Sequence, residues 1–226
     1  MKKGKFIVIE GTDGSGKGTQ LARLVEKLTS HGVPFKTTDF PQYGNPSAHF
    51  VEKYLQGHYG TAEEVGPYKG SIFYALDRYD RSHDIKSWLE EGHHVISNRY
   101  VSSNMGHQAG KIDDLAERDR YLEWLTELEY QILGSPQPDL TLFLFVPPEI
   151  GQELVDKKGA REYTQGKKRD IHEADLAHLK KASEAYLYVA KKFGWSIIDC
   201  VEEGILLPIE EIEKRIWHAV SPMVTA

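Results

Sequence analysis

The sequence predicts a doubly wound α/β fold: a five-stranded parallel sheet with helices on both faces. Three observations carry that prediction. A short apolar run, Phe6 to Ile9, leads through the glycine-rich stretch Glu10-Gly11-Thr12-Asp13-Gly14-Ser15-Gly16-Lys17-Gly18-Thr19 into an amphipathic segment carrying Leu21, Leu24, Val25 and Leu28. That is strand, tight turn and helix. Short apolar runs then alternate with helical periodicity down the whole chain, as parallel strand–helix–strand units require. Finally, Leu140 to Val146 is almost continuously apolar, the pattern of a central strand buried on both faces.

The elements follow in order. The first helix is expected over about Lys17 to His31, stopped by Gly32, and the second strand over Phe35 to Asp39. The turn-rich Phe40-Pro41-Gln42-Tyr43-Gly44-Asn45-Pro46 leads to a short helix near Ser47 with Phe50, Val51, Tyr54 and Leu55, closed by Gly57. Thr61-Ala62-Glu63-Glu64 fits a capping box. Past Pro67 a long helical region holds Ile72, Phe73, Ala75, Leu76 and Tyr79 and continues through Ile85, Trp88 and Leu89 to Gly92. A third strand, His94 to Ser97, delivers Asn98-Arg99-Tyr100 at its carboxyl end, where open parallel sheets bind ligands. One helix is expected from about Asp114 to Leu133, burying Leu115, Tyr121, Leu122, Leu125, Leu128 and Ile132. After the apolar fourth strand, Pro147-Pro148 opens a helix that fades at Lys157-Lys158-Gly159. A long helix over about Glu173 to Phe193, a last strand Ser196 to Asp199 and a terminal helix from Pro208 through Ala219 complete the chain.

The 226 residues suit one domain, 1–226, with a large core. A net charge of −6 argues against a sequence-independent nucleic-acid binder, which needs a basic face. The single cysteine, Cys200, excludes an intrachain disulfide and is compatible with a reducing compartment. No stretch is long and apolar enough to span a membrane. The expectation is a cytoplasmic protein with neither nucleic-acid nor membrane partners.

The glycine-rich stretch carries the chemistry. Two glycines with four residues between them, followed by a lysine, form a phosphate-cradling loop. Gly11, Gly14 and Gly16 let the backbone turn tightly and come close to phosphate. The amides of Gly14 to Gly18 can converge on phosphate oxygens at a helix N-terminus, where the dipole favours anions. Lys17 adds a point charge for the outer phosphates, and the hydroxyl arrives at Thr19, one step later than usual, because Gly18 intervenes. Arg99 ends a buried strand, a costly place for a cation without an anionic partner. A monophosphate is a natural partner for its fork. Arg78 lies one helical turn beyond Tyr74, so the two share a face, and Asn104 and Gln108 are likewise one turn apart.

Taken with Phe40-Pro41-Gln42-Tyr43-Gly44, Phe73-Tyr74-Ala75-Leu76-Asp77-Arg78, Asn98-Arg99-Tyr100-Val101-Ser102-Ser103-Asn104 and Asp170-Ile171-His172-Glu173, the loop makes the chain from about Lys5 to Cys200 resemble the thymidylate kinases. The resemblance implies a P-loop NTPase-type fold with a basic lid over about 157–170. It also implies ATP and dTMP as substrates, Mg²⁺ as cofactor and a homodimer. It puts Asp13 near the acceptor's 3′-hydroxyl, Tyr43 near its phosphate, Tyr74 and Arg78 against thymine, Asn104 on the base edge with Gln108 beside it, and His107 near the sugar. The loop residues Thr12, Asp13, Gly14 and Ser15 carry no basic side chain, so transition-state charge falls to the lid arginines, Arg161 or Arg169. Asn98 departs from the family, which usually has aspartate there. A weakened or re-routed metal site follows, with Thr19 and Glu10 helping. Another nucleoside-monophosphate kinase, or a non-catalytic nucleotide-binding module, is the alternative.

Overall fold

The structure, a computed structural model, describes residues 2–157 and 176–225. Five parallel strands form the sheet: β1 (Phe6–Glu10), β2 (Phe35–Asp39), β3 (His94–Asn98), β4 (Leu140–Phe145) and β5 (Ser196–Asp199). Their spatial order is β2-β3-β1-β4-β5. β1 is therefore central, and all five of its residues are buried. Its alternating side chains divide between two cores: Phe6 and Val8 face one, Ile7 and Ile9 the other.

The helices are α1 (Lys17–Ser30), α2 (His49–Leu55), α3 (Ala62–Glu90), α4 (Val101–His107), α5 (Leu115–Thr126), α6 (Pro148–Lys157), α7 (Leu176–Phe193) and α8 (Ile209–Val224). Helices α1 and α8 cover the core containing Leu24, Leu28, Ile212, Ile216 and Val220. Residues from α3, α4, α5 and α7 fill the other, among them Ile85, Met105, Leu122, Leu125 and Val189. The capping box at Thr61 is formed in full, the Thr61 side chain accepting from Glu64 N and the Glu64 carboxylate accepting from Thr61 N.

Three elements depart from expectation. The helix expected over 114–133 is α5 followed by one π-helical turn, Glu127–Ile132. A π turn holds an extra residue, which rotates everything after it. Glu129 is consequently buried, while Ile132 is 69% exposed; Leu115, at the other end, is 58% exposed. The terminal helix runs beyond Ala219, through Pro222, to Val224. A small hairpin, β6 (Val201–Glu202) with β7 (Ile205–Leu206), precedes it.

Helix α3 is inverted in character. Its buried stripe is Ser71, Ala75, Arg78, Ser82, Ile85 and Leu89, at spacings of three and four, and half of it is polar. Ile72, Leu76 and Tyr79, on another face, are each about 40% exposed.

Candidate active site

The carboxyl ends of β1, β2 and β3 open into a cavity of about 320 Å³. Strand pairing puts Asp39 opposite Asn98, and Ile9 opposite Asn98 from the other side, so the ends of the three strands lie together. Asp13, Tyr43, Tyr74, Arg78, Asn98, Arg99, Asn104, His107 and Gln108 all line this cavity. Each had been picked out from sequence. Tyr100, expected at this strand end, and Ser103, from the same motif, line it too, as does Asp39, for which no site role was read from the sequence.

The phosphate loop stands at its edge. Gly16 caps α1 in the left-handed conformation, with φ of 82°. Gly14 has φ of 83°, and a Cβ there would lie 2.0 Å from the Gly151 carbonyl of α6. No other residue fits. Lys17 is nearly buried, its Nζ donating to the carbonyls of Gly11 at 2.9 Å and Thr12 at 2.7 Å. Gly18 and Thr19 are exposed on the first turn of α1.

Arg99 follows β3 with φ of 65°, a conformation uncommon for a non-glycine residue. It is held on both sides: its N–H donates to Ile9 O at 3.0 Å, and Ser97 Oγ donates to its carbonyl at 2.5 Å. Its Nη2 donates to Asp13 Oδ1 at 2.5 Å, with Ser103 Oγ and His107 Nε2 each 3.4 Å from Nη1. Burial alone would lower the guanidinium pKa; the Asp13 carboxylate, then the more distant Tyr186 and Glu10, raise it above the ordinary arginine value. Arg99 stays charged.

Glu10, at the end of β1, is fully buried. Its Oε1 accepts from Tyr100 N at 3.0 Å, Ser102 Oγ at 2.9 Å and Ser103 Oγ at 2.8 Å. Its Oε2 accepts from the Tyr186 hydroxyl at 3.0 Å and Gly11 N at 3.3 Å. The Tyr186 ring reaches it by crossing Gly106, where a Cβ would lie 2.3 Å from the ring. Burial, then the Glu10 charge, lifts the Tyr186 hydroxyl well above the usual phenol range. Glu10 therefore knits β1 to the start of α4, and its carboxylate is turned inward with its lone pairs committed. The expectation that it helps a metal is corrected on that ground.

Arg78 is 1% exposed. Its Nε and Nη2 donate to Glu129 Oε1 at 2.8 and 2.5 Å, and Nη1 to the Tyr100 carbonyl at 3.3 Å. Tyr74 packs edge-on against Tyr54, ring centres 6.3 Å apart. Asn104 Nδ2 donates to Ser71 O at 3.3 Å. Gln42 turns from the cavity: its Nε2 donates to the Asp77 carbonyl at 2.9 Å, and its Oε1 accepts from Arg81. Tyr43, with Phe40 and Pro41 of the same loop, lines the site instead.

Asn98 Nδ2 donates to Asp39 Oδ1 at 2.9 Å. Burial raises the Asp39 pKa, and the Asn98 hydrogen bond and the charge of Arg99 offset part of that rise. Among the described residues, Asn98 Oδ1 and Gln108 Oε1 are buried acceptors without a hydrogen-bond partner, and both residues line the cavity. Buried acceptors of this kind favour a polar ligand. Arg161, Arg169 and the expected lid lie outside the described residues.

A parallel sheet with a phosphate loop after its central strand and a second anion-ready arginine after the neighbouring strand defines a P-loop kinase of nucleotides. The comparisons with known proteins agree and go further. The family model described as thymidylate kinase matches residues 9–216. The thymidylate kinase of Mycobacterium tuberculosis is 31% identical over 192 residues, covering 84% of this chain and 87% of the relative. That of Afipia carboxidovorans is 34% identical over 223 residues, covering 96% and 89%. The solved structure of the Candida albicans thymidylate kinase superposes with a TM-score of 0.74 at 23% identity, covering 97% of this chain and 92% of that one, and shows the shared fold. The chain belongs to the thymidylate kinase family.

Proposed function

We propose that this chain transfers the terminal phosphoryl group of ATP to the 5′-phosphate of dTMP, giving dTDP and ADP. The observation that carries the reading is the convergence of two phosphate grips on one cavity: the loop ending in Lys17, and Arg99. The Asp13–Arg99 pair joins them, with side chains 13% and 17% exposed. The acceptor is already an oxyanion, so no strong general base is required, and catalysis is positioning plus charge neutralisation.

The loop amides and Lys17 would hold the donor phosphates. Arg99 would grip the acceptor phosphate by exchanging part of its contact with Asp13, and Tyr43 would flank it. Tyr74, Arg78, Asn104 and Gln108 would form the base pocket, with His107 toward the sugar. Arg161 and Arg169 remain the candidates for the charge that closes over the transferring group.

Magnesium, when bound, would supply positive charge against the nucleotide phosphates. The residues present fit such an ion. Asn98 Oδ1 is a buried acceptor lacking a partner, Asp39 beside it supplies a carboxylate, and Thr19 offers an exposed hydroxyl at the loop. No three His, Cys, Asp or Glu side chains converge among the described residues, which suits a metal held largely by water and substrate phosphates.

The apolar stripe of Ile72, Leu76 and Tyr79 supports a homodimer built on α3. Leu76→Lys should convert the dimer to monomer in sedimentation velocity; a monomeric wild type ends that part of the reading. No helix among the described residues is long and apolar enough to cross a membrane. A cytoplasmic location belongs to the proposal, supported by Cys200 being a buried free thiol. The function is tested by coupled ADP release with dTMP, dUMP, AMP and CMP as acceptors. dTMP should be preferred; preference for AMP or CMP overturns the assignment of the base pocket.

A further inference from the structure

Glu129 has no assigned role, yet it is a fully enclosed carboxylate bound to Arg78, a residue that lines the cavity. Its side chain is 0% exposed, and that of its partner Arg78 is 2% exposed. The Glu129 Oε1 oxygen takes both Nε and Nη2 of Arg78, while Oε2 accepts from Ser135 Oγ at 3.2 Å. The Ser135 N–H donates to the Glu129 carbonyl at 2.8 Å, closing a local clamp. The π-helical turn 127–132 brings Glu129 to this inward position. Such turns are rare and recur at functional sites.

Stability is a weak explanation for this arrangement. The hydration a buried ion pair loses can exceed the attraction it gains, and apolar residues of the same size often stabilise as well or better. What the pair does achieve is geometric. A guanidinium is planar, and pinning its Nε–Nη2 edge to one carboxylate oxygen fixes the plane. The Tyr100 carbonyl, immediately after Arg99, takes an N–H of Nη1. Three of the five N–H donors are thereby used, and the two left lie on the terminal nitrogens of a residue that lines the cavity.

We infer that Glu129 is a positioning residue: it aims the remaining Arg78 donors into the base pocket and so selects a pyrimidine with a carbonyl at C4 over one with an amino group there. The inference rests on the proposed reading that Arg78 meets the base. Its chemistry is simple. Arginine donates and never accepts, so a fixed arginine meets a carbonyl oxygen well and an amino group badly. A site built around a specific hydrogen bond discriminates strongly against a ligand that cannot make it. An arginine free to swivel would lose that selectivity, because it could turn from the amino group.

The test compares kcat/KM for dTMP with that for dCMP in four proteins: wild type, Glu129→Met, Glu129→Asp and Arg78→Met. Glu129→Met removes the clamp. Glu129→Asp keeps the charge but withdraws the carboxylate by one methylene, and serves where the Met variant fails to fold, as judged by circular dichroism. Each folded Glu129 variant should lower the dTMP-to-dCMP ratio by about tenfold, chiefly through a raised KM for dTMP. A purely structural role would depress both substrates equally and leave the ratio alone. A wild-type ratio in a folded Glu129 variant, with a lowered ratio in Arg78→Met, overturns the positioning role. A wild-type ratio in Arg78→Met overturns the reading of the base pocket on which it rests.

Discussion

Replacing Glu10 by glutamine is the sharpest probe of how the site is held. The swap preserves shape and leaves one acceptor oxygen. Keeping that oxygen at the Oε1 position preserves the bonds from Tyr100 N, Ser102 and Ser103. The new amide then faces the Tyr186 hydroxyl and Gly11 N, both of which were donating. Tyr186 can turn its proton and accept instead; Gly11 N cannot. One buried donor left unsatisfied costs about 1–3 kcal/mol, and exchanging charged for neutral hydrogen bonds adds about 1 kcal/mol. We expect a loss of about 2–4 kcal/mol in urea unfolding with an unchanged m-value. The KM for dTMP should rise as well, because the same carboxylate anchors the backbone immediately after Arg99 and helps to hold its charge. Stability within about 0.5 kcal/mol of wild type, together with an unaltered KM, would refute the claim that Glu10 organises the arginine.

Three further outcomes are expected. Gly106→Ala would push a methyl into the Tyr186 ring, where a Cβ sits 2.3 Å from the nearest ring carbon; overpacking of this kind costs about 1–3 kcal/mol, to be read from denaturant melts. Arg99→Lys retains charge but loses the fork, and should raise the KM for dTMP about tenfold or more while leaving ATP binding within about twofold in calorimetry; equal effects on both nucleotides would contradict it. Burial lowers Lys111 from its ordinary 10.5 to about 8. Its folded pKa lies below its unfolded value, so the protonated lysine destabilises below pH 8, and the penalty lifts as pH climbs from 8 toward 10.5. Lys111→Met should therefore add about 1–2 kcal/mol at pH 7, after allowing for the lost donation to Tyr54, and the gain should vanish by about pH 10. Parallel stability profiles for wild type and variant across that range would refute the assignment.

How much of this was legible in the sequence depended on whether the deciding partners were near or far along the chain. Strand β1, the phosphate loop and β4 announce themselves because continuous apolar runs and clustered glycines are local signals. Of the cavity residues, Arg99 was found from its place at the end of a buried strand, whereas Asp13, Tyr43, Tyr74, Arg78, Asn104, His107 and Gln108 were found through the motifs shared with the thymidylate kinases. Glu129 escaped because a π turn cannot be read from a heptad-like stripe: Leu128 and Ile132 fit an α pattern, and only the partner Arg78, fifty-one positions away, justifies burying a carboxylate instead. The buried face of helix α3 was hidden for the same reason. Its buried Ser71 is satisfied by the Tyr121 hydroxyl at 2.7 Å and its buried Asp77 by the Gln42 amide, so polarity is internal there and apolarity external. Asp39 needed the register of β2 on β3, which sets it beside Asn98.

The two arginines of the site show how one kind of ion pair can serve opposite purposes. Arg78 and Glu129 are sealed from water, and each would face a severe desolvation penalty if parted, so the pair behaves as a fixed strut. Arg99 and Asp13 keep a margin of exposure, 17% and 13%, at the mouth of the cavity. Solvent and an incoming phosphate can both reach them, so the cation can pass from a monoanionic carboxylate to a more highly charged oxyanion without ever being left bare. Asp13 then has a reason to stand in a loop built for anions, where its own charge is otherwise unwelcome. It keeps Arg99 extended toward the phosphate loop, and on the proposed reading its carboxylate would be shared rather than lost as the acceptor enters. On the proposed reading the rigid pair would set which base fits and the open pair where the phosphate lands, and the Tyr100 backbone, bonded to Arg78 through its carbonyl and to Glu10 through its N–H, links the two.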